Sequence, residues 1–218
     1  MKLLQYSKSL VTCMVLFSLS VAVTQAQVAV NSKQHSAPDS FLVRFETTTG
    51  NFEVKAYRSW SPLGVDRFYN LVKQEFYDST CLFRVQPEYV VQFGIHDDPE
   101  TNKVWEKDPI PDEPVKVSNE EGTVAYAREG KNSRTTQLFI NYKDNFKLDT
   151  INFNGLRGFP PIGRVVKGME VVRSFYSGYG FEPATKQDSV YKYGNEYLLE
   201  HYPKLDYILR AIIEEESK

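Results

Sequence analysis

The sequence predicts a mainly β fold, a closed antiparallel barrel, from two observations. Short apolar runs bounded by turn residues recur along the chain, and only two stretches with helical spacing interrupt them. Closure into a barrel removes the free strand edges that would otherwise invite aggregation. After the first hairpin, the predicted strands cover residues 81–85, 89–93, 123–127 and 137–141.

The first elements follow from their turn and cap residues. Residues 41–46 and 52–57 flank a Thr-Thr-Gly-Asn turn and predict a β-hairpin. Ser61 followed by Pro62 predicts the start of a helix, because serine caps helices and proline suits the first helical position. Apolar residues then recur at helical spacing, namely Val65, Phe68, Tyr69, Val72 and Phe76.

The C-terminal end has a different character. The second helix of the main domain is expected near residues 169–176, and residues 181–218 are predicted to be a helical extension packed on the barrel. Two helical pieces are expected there, with a break before Pro203. Their apolar stripes contain Tyr197, Leu198, Tyr202, Leu205, Ile208, Leu209 and Ile212. Docking of a partner is the alternative use of these stripes.

The N-terminal end predicts export. Lys2 and Lys8 precede an apolar run and small residues, which is typical of a secretory signal peptide over residues 1–26. The run is shorter than the roughly 20 residues of a membrane-spanning helix, so an uncleaved anchor is the weaker interpretation. Residues 27–40 are polar and aperiodic and predict a flexible leader. No membrane contact is expected once the signal is removed.

Charge, cysteine and histidine content exclude several classes of function. The formal net charge is −2 and no basic patch is clustered, which argues against nucleic-acid binding. Cys13 lies in the predicted signal peptide, so Cys81 has no partner for a disulfide, and its apolar surroundings predict a buried thiol. His35, His96 and His201 fit no metal-ligand spacing, and neither a metal nor a cofactor is expected.

Two segments carry polar side chains within otherwise apolar strands. Arg84 and Gln92 lie eight residues apart, and Gln137 and Phe139 lie two apart. Even spacing in an extended chain places each pair on one face. Because an uncompensated charge is costly inside a protein, these strands predict a surface groove with a charged centre.

These residues resemble those of a cyclophilin, a peptidyl-prolyl cis-trans isomerase. The resemblance runs from Val43 to Phe175 and depends on FRVQPEYVVQ at residues 83–92 and TQLFI at residues 136–140. Further matches lie at residues 49–54, 62–71, 122–127 and 162–169. The resemblance implies an eight-stranded barrel over residues 41–180, with a helix at each open end. The variant after Gln92 resembles a divergent bacterial branch, so we expect the periplasm or the exterior of a bacterium.

The resemblance also implies a role for each residue of the groove. Arg84 matches the catalytic arginine, which donates to the twisted amide, and Gln92 matches the glutamine that orients it. The pocket for the proline ring is matched by Tyr89, Val90, Phe139, Leu148 and Phe159. The positions that hold the substrate backbone are Ala127, Arg128 and Gln137. The implied function is isomerisation of X–Pro bonds in unfolded or extended segments, assisting the folding of exported proteins, by a monomer.

The sequence departs from the best-known cyclophilins in ways that affect ligand choice. Phe83 replaces a histidine, Val90 a methionine, and Phe159 falls where a histidine is common. The usual tryptophan position is occupied by Lys147 or, in another alignment, by Phe146. These changes put cyclosporin binding in doubt.

Arg128 replaces an asparagine and adds a charge, so we expect a preference for acidic residues beside the substrate proline. The alternative function is a proline-peptide binding module with weak or no turnover, whose tail docks a partner.

Overall fold

The computed structural model describes residues 35–153 and 155–217. The predicted signal peptide and the first part of the predicted leader lie outside them. The end of the predicted leader is hydrogen-bonded to the fold. His35 and Asn70 exchange two hydrogen bonds of 2.9 and 2.7 Å, and the Ala37 N–H donates to Asp66 at 2.9 Å.

Ten strands account for half of the regular structure of the described residues. In chain order they are β1 (Ser40–Thr47), β2 (Gly50–Tyr57), β3 (Arg84–Val85), β4 (Val90–Phe93), β5 (Thr123–Tyr126), β6 (Leu138–Asn141), β7 (Asn152–Phe153), β8 (Leu156–Arg157), β9 (Pro161–Lys167) and β10 (Ile208–Glu216). Eight form one antiparallel sheet in the order β10-β1-β2-β9-β5-β6-β4-β3, and β7 pairs with β8 separately.

The sheet is a curled half-barrel, so the predicted closed barrel is wrong although the number of strands is right. Near its edge strands, β10 and β3, the described chain forms one isolated antiparallel bridge, between Cys81 and Tyr207, which lie just before the two strands. In the register of this bridge β10 faces residues 72–80, which are a helix end and turns, so β10 does not pair with β3. A pattern of short apolar runs does not reveal whether the two edge strands meet.

Five α-helices accompany the sheet in the described part of the chain: α1 (Pro62–Lys73), α2 (Pro99–Glu106), α3 (Lys147–Thr150), α4 (Met169–Ser174) and α5 (Gln187–His201). The sequence predicted α1 and α4 but missed α2, which buries only Asn102 and Trp105 and so has little apolar periodicity. Asp98 caps α2 by accepting from the N–H groups of Glu100 and Thr101. None of the helices described is long and apolar enough to cross a membrane.

A buried ion pair, not the predicted serine, caps α1. Ser61 occupies the cap position, but its hydroxyl donates to Glu113, whose carboxylate accepts from the N–H groups of Leu63 and Gly64 at 2.9 and 3.0 Å. Arg134 is fully buried and donates to the same carboxylate at 3.0 Å. Burial alone would raise the pKa of Glu113, but these donors and the charge of Arg134 hold the pKa below its ordinary value. The pair thereby fixes the chain that enters β6.

The C-terminal extension is only partly helical, which corrects the prediction. A 3₁₀ turn (Glu182–Lys186) leads into α5, which is kinked at Gly194, but the second predicted helical piece is strand β10, paired with β1 along its length. The free edge of β1 offers backbone hydrogen bonds that an isolated helix would not use. The β-branched residues Ile208, Ile212 and Ile213 of β10 also suit a strand.

The core lies between the curled sheet and the helices α1 and α4. Its centre is aromatic, with the rings of Phe45 and Phe52 stacked at 4.8 Å. Cys81 is buried in a second cluster, between the start of β3 and residues 184–207, and burial raises the pKa of its thiol well above the ordinary value. Burial and the raised pKa both disfavour a nucleophilic role for this thiol.

Two alanine substitutions distinguish the strand from the predicted helix. Ile208→Ala is expected to lower the free energy of unfolding by about 2–5 kcal/mol, because Ile208 is fully buried and would leave a cavity. Leu209→Ala is the matched control, expected to change it by about 0.5 kcal/mol or less, because Leu209 is half-exposed. Urea denaturation measures both. Equal losses would contradict the strand, since both residues belong to the apolar stripe of the predicted helix.

Candidate active site

A groove of about 620 Å³ lies beside the short strands β3, β4 and β6. The structure brings together in it all ten residues that the sequence singled out, from segments up to 75 residues apart. They are Arg84, Tyr89, Val90, Gln92, Ala127, Arg128, Gln137, Phe139, Leu148 and Phe159. Strand register explains the convergence, because Arg84 pairs with Gln92 across β3 and β4, and Gln92 pairs with Phe139 across β4 and β6.

Two glutamines hold the guanidinium of Arg84. Its Nη1 donates to Oε1 of Gln92 at 3.0 Å, and its Nε donates to Oε1 of Gln86 at 2.7 Å. Sequence reasoning missed Gln86, although its spacing of two from Arg84 places both on one strand face. The Nη2 atom of Arg84 has no hydrogen-bond partner among the described residues, so it is free to donate into the groove.

Arg84 differs from the other poorly exposed arginines in lacking a carboxylate partner within the described part of the chain. Arg67, Arg128 and Arg134 pair with Asp108, Asp112 and Glu113, respectively. Around Arg84 there are instead amide oxygens and the rings of Tyr89 and Phe181, at 5.3 and 4.7 Å from the guanidinium carbon. Burial lowers the pKa of Arg84, but a guanidinium stays charged in a protein. Its field is therefore not cancelled by a neighbouring anion.

An apolar pocket lies next to this charge. Val90, Phe139 and Leu148 form a buried apolar cluster with Ala125, which was not predicted. Tyr89, Ala127 and Phe159 pack against them, and the rings of Phe139 and Phe159 meet edge to face at 5.8 Å. The combination of an apolar pocket with a positive donor suits an apolar ring attached to a polar amide.

Arg128 lies beside the groove as expected, but its charge is paired and largely buried. Its side chain is 1% exposed, it pairs with Asp112, and its guanidinium lies 5.2 Å from the ring of Phe159. Burial lowers its pKa. Arg128 therefore packs against Phe159, and its pairing with Asp112 weakens the argument for acidic flanking residues, which stays a prediction.

The position expected for a tryptophan is filled by neither candidate. Lys147 and Phe146 are exposed and lie outside the groove, in a neighbouring surface cleft, whereas Leu148 contributes to both. The short helix α3 begins here, so adjacent residues turn to different sides.

One wall of the groove comes from the chain between α4 and β10, which the sequence analysis did not connect with the site. We call residues 176–207 the α5 segment. Phe181, Ala184, Gln187, Asp188 and Tyr191 of this segment line the groove. No local sequence signal marks them, because they meet Arg84 and Gln137 only through tertiary packing.

Comparisons with known proteins agree with this geometry. Residues 42–194 match the family model described as cyclophilin type peptidyl-prolyl cis-trans isomerase/CLD, a match that ends within α5, beyond the boundary predicted at residue 180. The chain is 34% identical over 138 residues to a peptidyl-prolyl cis-trans isomerase of Acinetobacter baylyi, covering 60% of this chain and 69% of the relative. It is 34% identical over 157 residues to peptidyl-prolyl cis-trans isomerase A of Dickeya dadantii, covering 70% and 80%.

The fold is likewise shared with solved structures. A cyclophilin type peptidyl-prolyl cis-trans isomerase of Cryptosporidium parvum superposes with a TM-score of 0.56 at 18% identity, covering 82% of this chain and 99% of that one. The structural likeness shows the fold, and the family-model match over most of the chain shows the membership. The chain belongs to the family of cyclophilin-type peptidyl-prolyl cis-trans isomerases.

Proposed function

We propose that this protein accelerates rotation about X–Pro bonds in extended polypeptide segments, and thereby assists the folding of exported proteins. The observation that supports this most directly is the uncompensated guanidinium of Arg84 beside the apolar pocket of Val90, Phe139 and Leu148. Family membership supports the same chemistry.

The reaction needs little from the protein. Rotation about a peptide bond meets a barrier of about 20 kcal/mol, because the nitrogen lone pair is delocalised into the carbonyl. In the transition state the amide is twisted and the lone pair is localised on nitrogen. A donor that binds this nitrogen, and binds the planar amide less well, lowers the barrier. Each 1.36 kcal/mol by which the barrier is lowered raises the rate about tenfold.

Arg84 would supply that donor. Gln86 and Gln92 hold Nε and Nη1, which leaves the Nη2 end to approach the twisted nitrogen. The apolar pocket would bind the proline ring in planar and twisted states alike, so it would set the affinity for substrate more than the rate. It would also exclude water, which strengthens the interaction of the charge with the developing lone pair.

A second function uses the same groove without turnover. Nε2 of Gln137 already donates to Gln187 and Tyr191, so this group would have to change partners to donate to a substrate carbonyl. That occupation favours a module that binds proline-containing segments weakly. The two functions differ in what loss of Arg84 would do.

Export is also part of the proposal. It is supported by the basic start, the apolar run and the small residues before Gln27, and the bacterial periplasm or exterior is the expected location.

Removal of the Arg84 side chain tests the mechanism. In the mature protein, Arg84→Ala is expected to lower kcat/KM for an Ala-Pro tetrapeptide by about 100- to 1000-fold, the typical loss for a single donor to a transition state. Exchange NMR measures the rate without a coupling protease. Arg164→Ala is the matched control, because Arg164 is a surface residue paired with Glu120. A folded Arg84→Ala protein with undiminished activity would refute the role of Arg84, and a wild type that binds peptide without turnover would establish the binding module.

Replacement of a pocket ring tests how the substrate is held. Phe159→Leu is expected to raise KM by about 2- to 10-fold with a smaller change in kcat, because an aromatic contact to the proline ring is lost in ground and transition states alike. Phe146→Leu should leave both constants unchanged, since Phe146 is 54% exposed and lies outside the groove. A loss confined to kcat would instead assign Phe159 to the transition state.

Expression of the full chain in a Gram-negative host tests export. N-terminal sequencing of the periplasmic protein is expected to start at Gln27, and deletion of residues 1–26 should leave the protein in the cytoplasm. Membrane-bound protein that retains Met1 would show an uncleaved anchor.

A further inference from the structure

The α5 segment contacts the two polar residues at the centre of the groove. Nε2 of Gln137 donates to Oε1 of Gln187 at 2.7 Å and to the hydroxyl of Tyr191 at 2.9 Å. The ring of Phe181 lies 4.7 Å from the guanidinium carbon of Arg84. The Val85 N–H donates to the carbonyl of Gly180 at 3.3 Å, which ties the segment to β3 beside Arg84.

These contacts fix the orientation of each amide between Arg84 and α5. Arg84 can only donate, so Oε1 of Gln92 must face it. Nε2 of Gln92 then donates to Oε1 of Gln137 at 2.7 Å. At the far end, Nε2 of Gln187 donates to the carbonyl of Ala184 at 3.2 Å, which turns Oε1 of Gln187 toward Gln137.

In the series Gln92, Gln137 and Gln187, every amide therefore donates in the same direction, away from Arg84. A reversed amide at Gln137 would place two donors opposite each other at one end and two acceptors at the other. Without Gln187 and Tyr191, Nε2 of Gln137 would lose both acceptors, and the bond from Gln92 alone would hold this side chain. Gln137 could then move, which would loosen Gln92 and, through it, the guanidinium of Arg84.

Phe181 acts on the face of the same guanidinium. A planar cation over an aromatic ring is attracted by the ring's negative face, most strongly where water is excluded. Tyr89 offers a second ring at 5.3 Å. The guanidinium of Arg84 also donates to Gln86 and Gln92. These two hydrogen bonds and the two rings together restrict the orientation of the guanidinium plane.

We propose that Phe181, Gln187 and Tyr191 are positioning residues for the isomerisation, so that the α5 segment is a working part of the active site. The proposal rests on the isomerase function proposed above. It differs from a packing role, because Phe181 is 49% exposed and contributes little buried surface to the fold. It also differs from an autoinhibitory role, in which removal of the contacts would raise the activity.

Paired variants of the full mature chain test the proposal. Phe181→Leu is expected to lower kcat about 3- to 10-fold with KM unchanged within about twofold, while Phe181→Tyr, which keeps the ring, retains activity. Tyr191→Phe combined with Gln187→Leu is expected to lower kcat about 10-fold, because both acceptors for Gln137 are lost. Tyr193→Phe, on the same helix and 52% exposed, is the matched control.

A spectroscopic readout separates positioning from folding. In ¹H–¹⁵N spectra, the Arg84 Nε–H signal and the side-chain amide signals of Gln92 and Gln137 are expected to shift in the two impaired variants, at unchanged melting temperature, and to stay in place in Tyr193→Phe. Unchanged kcat in both impaired variants would overturn the proposal, and so would a rise in kcat. An inactive wild type would remove the proposed function and this proposal together, whereas an active wild type with unaffected variants would remove this proposal alone.

Discussion

The half-buried charge of Arg84 is the constraint around which the groove is built. A cation removed from water is costly unless it is paired, and the fold pairs Arg67, Arg128 and Arg134 with carboxylates. For Arg84 it uses amide oxygens and aromatic faces instead. These groups stabilise the charge without cancelling it. A carboxylate in their place would hold the side chain as firmly but would direct its field away from a bound substrate.

The strands β3, β4 and β6 position the side chains that surround Arg84. They are two to four residues long, and their register sets Arg84, Gln92 and Phe139 side by side. The buried pair of Arg134 and Glu113 fixes the start of β6 against the N-terminus of α1. The cap of α1, the ion pair of Arg134 with Glu113 and the groove residue Gln137 therefore depend on one another for their positions, although Glu113 and Gln137 are 24 residues apart.

The chain after α4 has two structural roles. Strand β10 completes the sheet by pairing with β1 over its whole length, and the preceding α5 segment reaches across to the groove. Because β10 anchors one end of the α5 segment and the bond from Val85 to Gly180 anchors the other, the segment is held at both ends. This restraint makes it suitable for holding side chains in fixed orientations, as the series Gln92, Gln137 and Gln187 requires.

The sequence by itself determined the antiparallel strands, the helices α1 and α4, the buried state of Cys81, and the ten residues that meet in the groove. The strands, the helices and Cys81 follow from local spacing, and the groove residues follow from the resemblance of ordered motifs to the cyclophilin family. Tertiary structure decided the rest. It left the sheet open because the chain that faces β10 is a helix end and turns and not β3, and it made residues 208–216 a strand because they pair with the edge of β1. It turned Arg128 inward onto Asp112, and it placed Phe181, Gln187 and Tyr191 against Arg84 and Gln137. Each of these outcomes depends on a contact between distant segments, whose energy no local pattern records.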